Sequence, residues 1–183
     1  TQNTGLLNTR TLTVILGLIL GGVYYAQLWS FGDDGLSLVS RTTPYWDFNN
    51  LWLGGKLAAQ GHVDYLFDME KYRPAMDVAF GMDVPDQEWS YPPNMLLIGA
   101  PLSVFPPLIA YLIWTLGSLL MLHFAVRPLK LPPLLHLAIL LSPVIFINAM
   151  YGQNGTFISA LFIGALVQLP KRPILAGVLI GMM

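Results

Sequence analysis

The chain has 183 residues, of which 55% are hydrophobic and only 10% charged, well below the roughly 25% charge of an ordinary soluble domain. It contains no cysteine, which excludes disulfide bonds, thiolate nucleophiles and cysteine-ligated zinc. The formal net charge is −1, but all ten acidic residues lie between Asp33 and Glu88, whereas the apolar stretches and their other connections carry only bases. Composition therefore predicts an all-helical, polytopic membrane protein with one charged loop.

The first apolar stretch, residues 11–31, is long enough to cross ~30 Å of hydrocarbon as a helix. Arg10 precedes it and no small-residue cleavage site follows, so we interpret it as an uncleaved membrane helix rather than a signal peptide. The chain begins without methionine and ends inside an apolar run. We therefore expect it to be a fragment of a longer protein.

A loop follows at residues 32–93, and its centre is typical of a helix of about four turns. Thr43 is a suitable N-cap for this helix, and Gly61 is a suitable left-handed stop. Because residues three and four apart are neighbours on a helix, Asp47 and Asn50 share one face. Phe48, Trp52, Gly55 and Ala59 share another face. We predict that the first face presents a carboxylate and an amide while the other lies on the membrane surface.

The second half of the loop predicts a further short helix. Asp68 is its expected cap, and Pro74 is expected to end or restart it. Tryptophan and tyrosine are frequent throughout the loop, and such amphipathic aromatic residues favour the headgroup level of a bilayer. The loop is therefore predicted to lie against the membrane.

Residues 94–126 are too many for one straight crossing and too few for two, and prolines interrupt them. We predict a re-entrant piece or half-helix first, followed by a full span from Pro107. The remaining predicted spans are 134–150, 156–169 and, in part, 174–183.

The distribution of basic residues predicts the topology. With the N-terminus in the cytoplasm, every base outside the acidic loop falls on the cytoplasmic side and the loop falls outside. The helix break at Gln153 and Asn154 then lies on the same side as Asp47. We expect a single membrane domain over residues 1–183.

Asp47 is the candidate catalytic residue, because a carboxylate among aromatic side chains at a membrane surface can take a proton from a bound hydroxyl. The alternative is that Asp47 only stabilises the start of its helix through the helix dipole. Asn50, on the same face, is a candidate sugar contact. The amides of Gln153 and Asn154 suit sugar hydroxyls, although they also suit the unpaired backbone of a helix break.

Other candidate contacts lie elsewhere in the loop. Lys56 is expected to meet an anionic headgroup or lipid phosphate, although solvation explains this isolated charge equally well. His62 is expected to contact a phosphate or hydroxyl. No metal is expected, because Asp33–Asp34 and Asp83–Asp86 offer too few carboxylates at a firm spacing for a hard cation. Nothing resembles a phosphate-binding glycine loop or a nucleic-acid patch, so no nucleotide or nucleic-acid partner is expected.

Several short motifs follow one another in a characteristic order. They are Trp46-Asp47-Phe48, the segment 54–61, Leu66-Phe67-Asp68, Tyr91-Pro92-Pro93 and Gly152-Gln153-Asn154. This series resembles glycosyltransferase family 87, membrane enzymes of the GT-C class that use polyprenyl-phosphate sugars and include bacterial mannosyltransferases. The resemblance runs over about residues 11–169 and covers only the N-terminal part of such enzymes.

The resemblance implies a GT-C-like fold and a location in a bacterial inner membrane. It also implies an inverting transfer of a hexose, with mannose expected, from a polyprenyl-phosphate donor to a lipid or glycan acceptor at the outer face. It implies an acidic general base in the first outer loop, and the matching position is Asp47. Asp68 and Tyr91 lie in the shared motifs and are expected to contact substrate. No cofactor is needed, because the lipid phosphate is itself the leaving group. Phe67 stands where such proteins commonly have tyrosine, which removes a hydroxyl contact.

The alternative is a truncated, non-catalytic family member that packs as a structural subunit into a larger membrane complex. The absence of later spans and the small-residue positions Gly17, Gly21 and Gly22 favour it. A transporter is disfavoured, because the interiors of the spans contain no Asp, Glu, Lys or Arg.

Overall fold

The computed structural model describes residues 9–81 and 87–183, which are helical apart from turns, loops and one isolated β-bridge. This confirms the all-helical class for the described residues. The packing of Cα atoms divides the chain into two compact units, Thr1–Pro44 and Tyr45–Met183. The single membrane domain over residues 1–183 stays a prediction.

In the first unit, residues 9–44 are the described part, and they form one apolar helix and a tight loop. Helix α1 spans Thr9–Leu28, whereas the predicted span continues to Phe31. The helix ends earlier because Phe31 forms an antiparallel bridge with Ser37 instead. In the same loop Asp34 forms an ion pair with Arg41 at 3.0 Å, in keeping with a solvated turn acid.

Helix α2 spans Trp46–Ala59 and confirms the helix predicted at the centre of the acidic loop. Its N-cap position is held by Tyr45 rather than by the predicted Thr43. The Tyr45 ring stacks on Tyr111 with 4.9 Å between ring centroids, and this packing holds Tyr45 outside the helix. At the other end Gly61 has φ +83°, the predicted left-handed stop.

Helix α3 spans Met69–Phe80, and the Asp68 carboxylate accepts a hydrogen bond from an amide of its first turn at 3.1 Å. The predicted cap is therefore confirmed. The prediction that Pro74 ends or restarts the helix is wrong, because the helix continues through it. A proline removes only one backbone donor, and the buried side chains of Tyr72 and Met76 anchor the helix on both sides of it.

Helix α4 spans Leu96–Leu102 and helix α5 spans Pro107–Val126. The order of a short helix followed by a long one matches the prediction, whereas a crossing of the membrane by α5 stays a prediction. Phe105 lies in the turn between them, where its carbonyl accepts a hydrogen bond from the Trp52 indole of α2 at 2.9 Å. The turn before α5 is therefore tied to α2.

The predicted span at 134–150 is interrupted in the structure. Helix α6 spans Pro133–Leu140 and helix α7 spans Pro143–Tyr151. The break occurs because the Ser142 hydroxyl caps α7 and the proline that follows has no N–H with which to continue α6.

The last part of the chain is helical as well. Helix α8 spans Gly155–Gln168 and helix α9 spans Pro173–Gly181, close to the predicted bounds. A buried apolar cluster joins α5, α7 and α8 through Leu122, Val126, Ile145 and Ala160.

Within the described residues, three mainly helical stretches are long and apolar enough to cross a membrane, and the third of them joins α6 and α7. They are Thr11–Leu28, Pro107–Leu129 and Pro133–Tyr151. Shorter apolar helices are Pro93–Leu102 and Gly155–Gln168. Many of their leucine, isoleucine and valine side chains are exposed on the surface of the protein, as expected for groups that contact lipid.

Helix α2 is buried within the second unit, contrary to the prediction that one of its faces lies on a membrane. Phe48 is 0% exposed and Trp52 6% exposed, on the face predicted to meet lipid. On the same face Gly55 meets Gly99 of α4, where an added Cβ would overlap the backbone of the neighbouring helix. The apolar face of α2 therefore packs against protein, because two glycines allow the helices to meet backbone to backbone.

Candidate functional site

A polar cleft of about 470 Å³ lies beside the first half of α2 in the second unit. Its described lining comes from three parts of the chain, namely α2, the segment 87–91 and the residues around the break between α7 and α8. Its lining is formed by Asp47, Asn50, Gln87, Ser90, Tyr91, Asn148, Gln153, Asn154 and Gly155. The cleft therefore brings together five of the residues predicted to form the site: Asp47, Asn50, Tyr91, Gln153 and Asn154.

The centre of the cleft is a hydrogen bond between Asp47 and Gln153. Gln153 Nε2 donates to Asp47 Oδ2 at 2.7 Å, joining residues that are 106 positions apart in the chain. Asp47 also lies in the first turn of α2, where the helix dipole favours a negative charge. A side-chain amide and a helix start thus hold this partly buried carboxylate in place.

Gln153 is positioned by the way α7 ends. Gly152 takes the left-handed conformation at φ +70°, and the Gln153 N–H then donates to the Asn148 carbonyl at 2.9 Å, as in a Schellman motif. The Tyr111 hydroxyl and the Trp114 indole of α5 donate to the carbonyls of Ala149 and Gly152, at 2.7 and 3.0 Å. These side chains satisfy acceptors that the end of a helix leaves unpaired.

Only glycine fits at position 152. Besides its positive φ, a Cβ added there would lie 2.5 Å from the Cβ of Phe48. This close approach brings the end of α7 against α2, and Gln153 reaches Asp47 as a result.

Asn50 is tied into the wall of the cleft. Its Nδ2 donates to the Glu88 carbonyl at 2.7 Å, its Oδ1 accepts from the Tyr72 hydroxyl, and it is only 3% exposed. Burial raises the pKa of Tyr72, followed by a smaller effect of Tyr91, so Tyr72 stays a neutral donor. This geometry favours a role in joining α2, α3 and the segment 87–91, and the predicted contact of Asn50 with substrate stays a prediction.

Tyr91 stands beside Asp47 and donates from its hydroxyl to the Asp47 backbone carbonyl at 3.2 Å. Burial raises the pKa of Tyr91, and the nearby Asp47 carboxylate raises it further, so the hydroxyl remains protonated. The indole ring of Trp89 covers Gly54 of α2 so closely that a Cβ there would overlap the ring. The segment that carries Tyr91 is thus fixed to α2.

Three other predicted site residues lie outside the cleft. Lys56 and His62 line a different pocket of about 530 Å³. The Lys56 ammonium lies 4.8 Å from the centre of the Trp52 ring, a cation–π contact. Asp68 caps α3 and forms an ion pair with Lys71 at 3.5 Å.

Four residues of the cleft are absent from the sequence-based prediction: Gln87, Ser90, Asn148 and Gly155. Asn148 carried a usable signal, because a polar side chain inside an apolar stretch often marks function in a membrane protein. For Gln87 and Ser90 the only signal in the sequence was their nearness to the Tyr91 motif. The Gln87 Oε1 atom is buried and has no hydrogen-bond partner within the described residues.

Groups of three or more histidine or acidic side chains that could hold a metal ion are not found within residues 9–81 and 87–183. Asp83 and Asp86, considered above as carboxylates for a cation, lie outside these ranges.

The apolar helices and the polar cleft indicate a helical membrane protein with a site for a hydrogen-bonding ligand. Comparison with models of protein families finds a match to glycosyltransferase family 87 over residues 89–183, just over half of the chain. The chain therefore belongs to glycosyltransferase family 87. Tyr91, Gln153 and Asn154 lie within the matched part, whereas Asp47 and Asn50 precede it. Comparison with curated proteins finds no match, and comparison with solved structures finds none either.

Proposed function

We propose that the protein is a polytopic membrane glycosyltransferase of the GT-C type. It moves a hexose, with mannose as the first candidate, from a polyprenyl-phosphate donor to a lipid or glycan acceptor at the outer face of a bacterial inner membrane. Within this family, the observation that carries the proposal is the Asp47 carboxylate, held by Gln153 in a polar cleft beside apolar helices.

The lining of the cleft suits a sugar phosphate. Its volume lies within the ~300–1,000 Å³ range of ligand pockets, and its amides and hydroxyls can both donate to and accept from sugar hydroxyls. Helix α8 begins at Gly155 in the cleft wall, and the start of a helix favours an anion such as the donor phosphate. Apolar helix surfaces nearby suit a polyprenyl chain.

In the proposed reaction Asp47 acts as general base. As the acceptor oxygen attacks the anomeric carbon, Asp47 takes the proton of that hydroxyl. The bond between the anomeric carbon and the phosphate oxygen breaks on the opposite face of the sugar, which inverts the configuration. The electron pair leaves with the polyprenyl phosphate, so the transfer requires no further cofactor.

Transfer of a labelled sugar tests this proposal. Membranes that contain a full-length form of the protein are incubated with polyprenyl-phosphate mannose or glucose, radiolabelled in the sugar, and the lipid and glycan fractions are counted. Label in one of these fractions, above that of membranes lacking the protein, is the expected result. Absence of transfer with both donors would contradict the proposal and favour the non-catalytic subunit.

Replacement of Gln153 tests whether the hydrogen bond to Asp47 positions the base. Gln153→Leu is expected to lower kcat roughly 10–100-fold, because a hydrogen bond to a charged group is worth about 1.5–3 kcal/mol. The KM for the donor should change less than kcat. Gln168→Leu, the same change at the far end of α8, serves as the control and should leave kcat unchanged. Equal kcat values for both variants would contradict the role of Gln153 in positioning Asp47.

The topology can be tested by labelling single cysteines, because these 183 residues contain none. An impermeant maleimide added to intact cells should label a cysteine at Asp64 and miss one at Lys130 or Lys171. All these positions are exposed, so protection reports the side of the membrane rather than burial. Asp64→Cys removes only an exposed ion pair with Lys71, which contributes little to stability. The reverse pattern would place Asp47 on the cytoplasmic side and contradict transfer at the outer face.

A further inference from the structure

A second pocket, of about 480 Å³, lies at the C-terminal end of α5, where the chain turns into α6. It is separate from the polar cleft. The indole of Trp114 supports the end of α7 beside the cleft. His123 and Arg127, which line the second pocket, follow Trp114 by nine and thirteen residues. At ~1.5 Å per residue this is roughly 14–20 Å along the helix axis. The proposed transfer reaction makes no use of this pocket.

One side of the pocket is basic. Arg127 and Lys130 line it together with His123 and His136, and no carboxylate is found among the described residues of its lining. His123 Nδ1 and His136 Nε2 are 3.1 Å apart, so one imidazole donates to the other across α5 and α6. Each ring keeps its second nitrogen for another partner. The pocket thus presents two fixed cations and two imidazoles to a ligand.

The turn between the helices holds the two cations at the same pocket. Lys130 has φ +49°, a left-handed conformation that is uncommon for a residue other than glycine. Its N–H donates to the Arg127 carbonyl at 3.2 Å, which closes the turn. Conformations of this kind persist where the surrounding structure imposes them, often at ligand sites.

The other side of the pocket is apolar. Leu131 and Leu140 form part of this wall and also pack against the buried cluster of α5, α7 and α8. Leu137 lies in the same wall and is 50% exposed. A ligand that fits both sides therefore needs an anionic group and a hydrocarbon chain.

We propose that this pocket binds one anionic phospholipid. Its phosphodiester lies between Arg127 and Lys130, because guanidinium and ammonium groups form strong, charge-assisted hydrogen bonds with phosphate oxygens. An acyl chain lies along Leu137. Basic pockets between apolar helices, on the side of the membrane that carries the basic connections, suit such headgroups. A free phosphate would use the basic side and leave the apolar side uncovered.

The test is retention of lipid by the purified full chain in a non-ionic detergent, measured by native mass spectrometry. Phosphatidylglycerol should be retained and phosphatidylcholine should not. Arg127→Gln combined with Lys130→Gln should weaken phosphatidylglycerol binding about 30-fold, which corresponds to about 1 kcal/mol for each basic residue. Lys171→Gln combined with Arg172→Gln, which removes the same charge from the other basic connection, should leave binding unchanged.

Several results would overturn the proposal. They are equal retention of the two lipids, equal loss in the two double variants, and competition by soluble glycerol 3-phosphate as effective as competition by the lipid. The last result would assign the pocket to a free anion. Leu137→Gln keeps every basic group and changes a half-exposed side chain, so it provides a variant that does not depend on charge. It should weaken lipid retention without changing the elution volume in gel filtration, and unchanged retention would exclude the acyl chain from this wall.

Discussion

Asp47→Asn, made in an active full-length form of the protein, is expected to lower turnover by at least about 100-fold. Asparagine has the same shape as aspartate, and its amide oxygen can still accept the hydrogen bond that Gln153 donates. It cannot take the proton of the acceptor hydroxyl. Expression and binding of the lipid donor should therefore stay near normal while the rate of sugar transfer, measured with radiolabelled donor, falls.

Asp68→Asn is the matched control for this substitution. Asp68 accepts an amide hydrogen bond at the start of α3, and asparagine caps a helix about as well as aspartate does. Its effect on turnover should therefore be much smaller. Near-normal turnover of the Asp47→Asn protein would remove Asp47 from the mechanism, even if sugar transfer itself were observed.

Gly55→Ala is expected to destabilise the protein by about 3 kcal/mol, the upper part of the usual range for overpacking. The added methyl group would overlap the Gly99 backbone and lie 2.5 Å from the Ala100 nitrogen. Backbone atoms cannot rotate away as the end of a flexible side chain can, so α2 and α4 must separate. For a protein of this size the expected shift is a Tm lower by about 10 °C in a thermal melt in detergent.

Gly117→Ala is the matched control, since Gly117 also lies within a helix, α5, and an added Cβ meets no atom of the described residues within 4 Å. Alanine is the better helix former by up to ~1 kcal/mol, so this variant should melt at the same temperature or slightly higher. A Gly55→Ala protein that melts like the wild type would contradict the close contact between α2 and α4. Because α2 carries Asp47, we also expect sugar transfer to fall in the Gly55→Ala variant.

Local signals account for much of the fold that could be predicted. The cap by Asp68, the left-handed stop at Gly61 and the start of α5 at Pro107 depend on a few neighbouring residues whose backbone preferences are strong. The break at Ser142 and Pro143 was equally local, but the apolar residues on both sides obscured it. The start of α2 could not be predicted locally, because Tyr45 is held outside the helix by stacking on Tyr111, 66 positions further along the chain.

In the candidate site, too, some features could be predicted from the sequence and others depend on contacts between distant residues. Asp47, Gln153 and Asn154 were predicted from residue chemistry and motif order, and the structure places them in one cleft. Asn50 shares the Asp47 face of α2 as expected, yet its hydrogen bonds to Tyr72 and Glu88 are long-range and no periodicity indicates them.

By itself the sequence determined that the protein is helical, that apolar stretches alternate with one acidic loop, and that a helix with a carboxylate and an amide on one face lies in that loop. These features depend on composition and on contacts within a few turns of chain. Only the tertiary structure decided that α2 is buried and that Gln153 donates to Asp47. Both follow from glycine at 55 and 152, where the lack of a side chain lets distant backbone segments meet, and a glycine in a sequence does not indicate which segment approaches it.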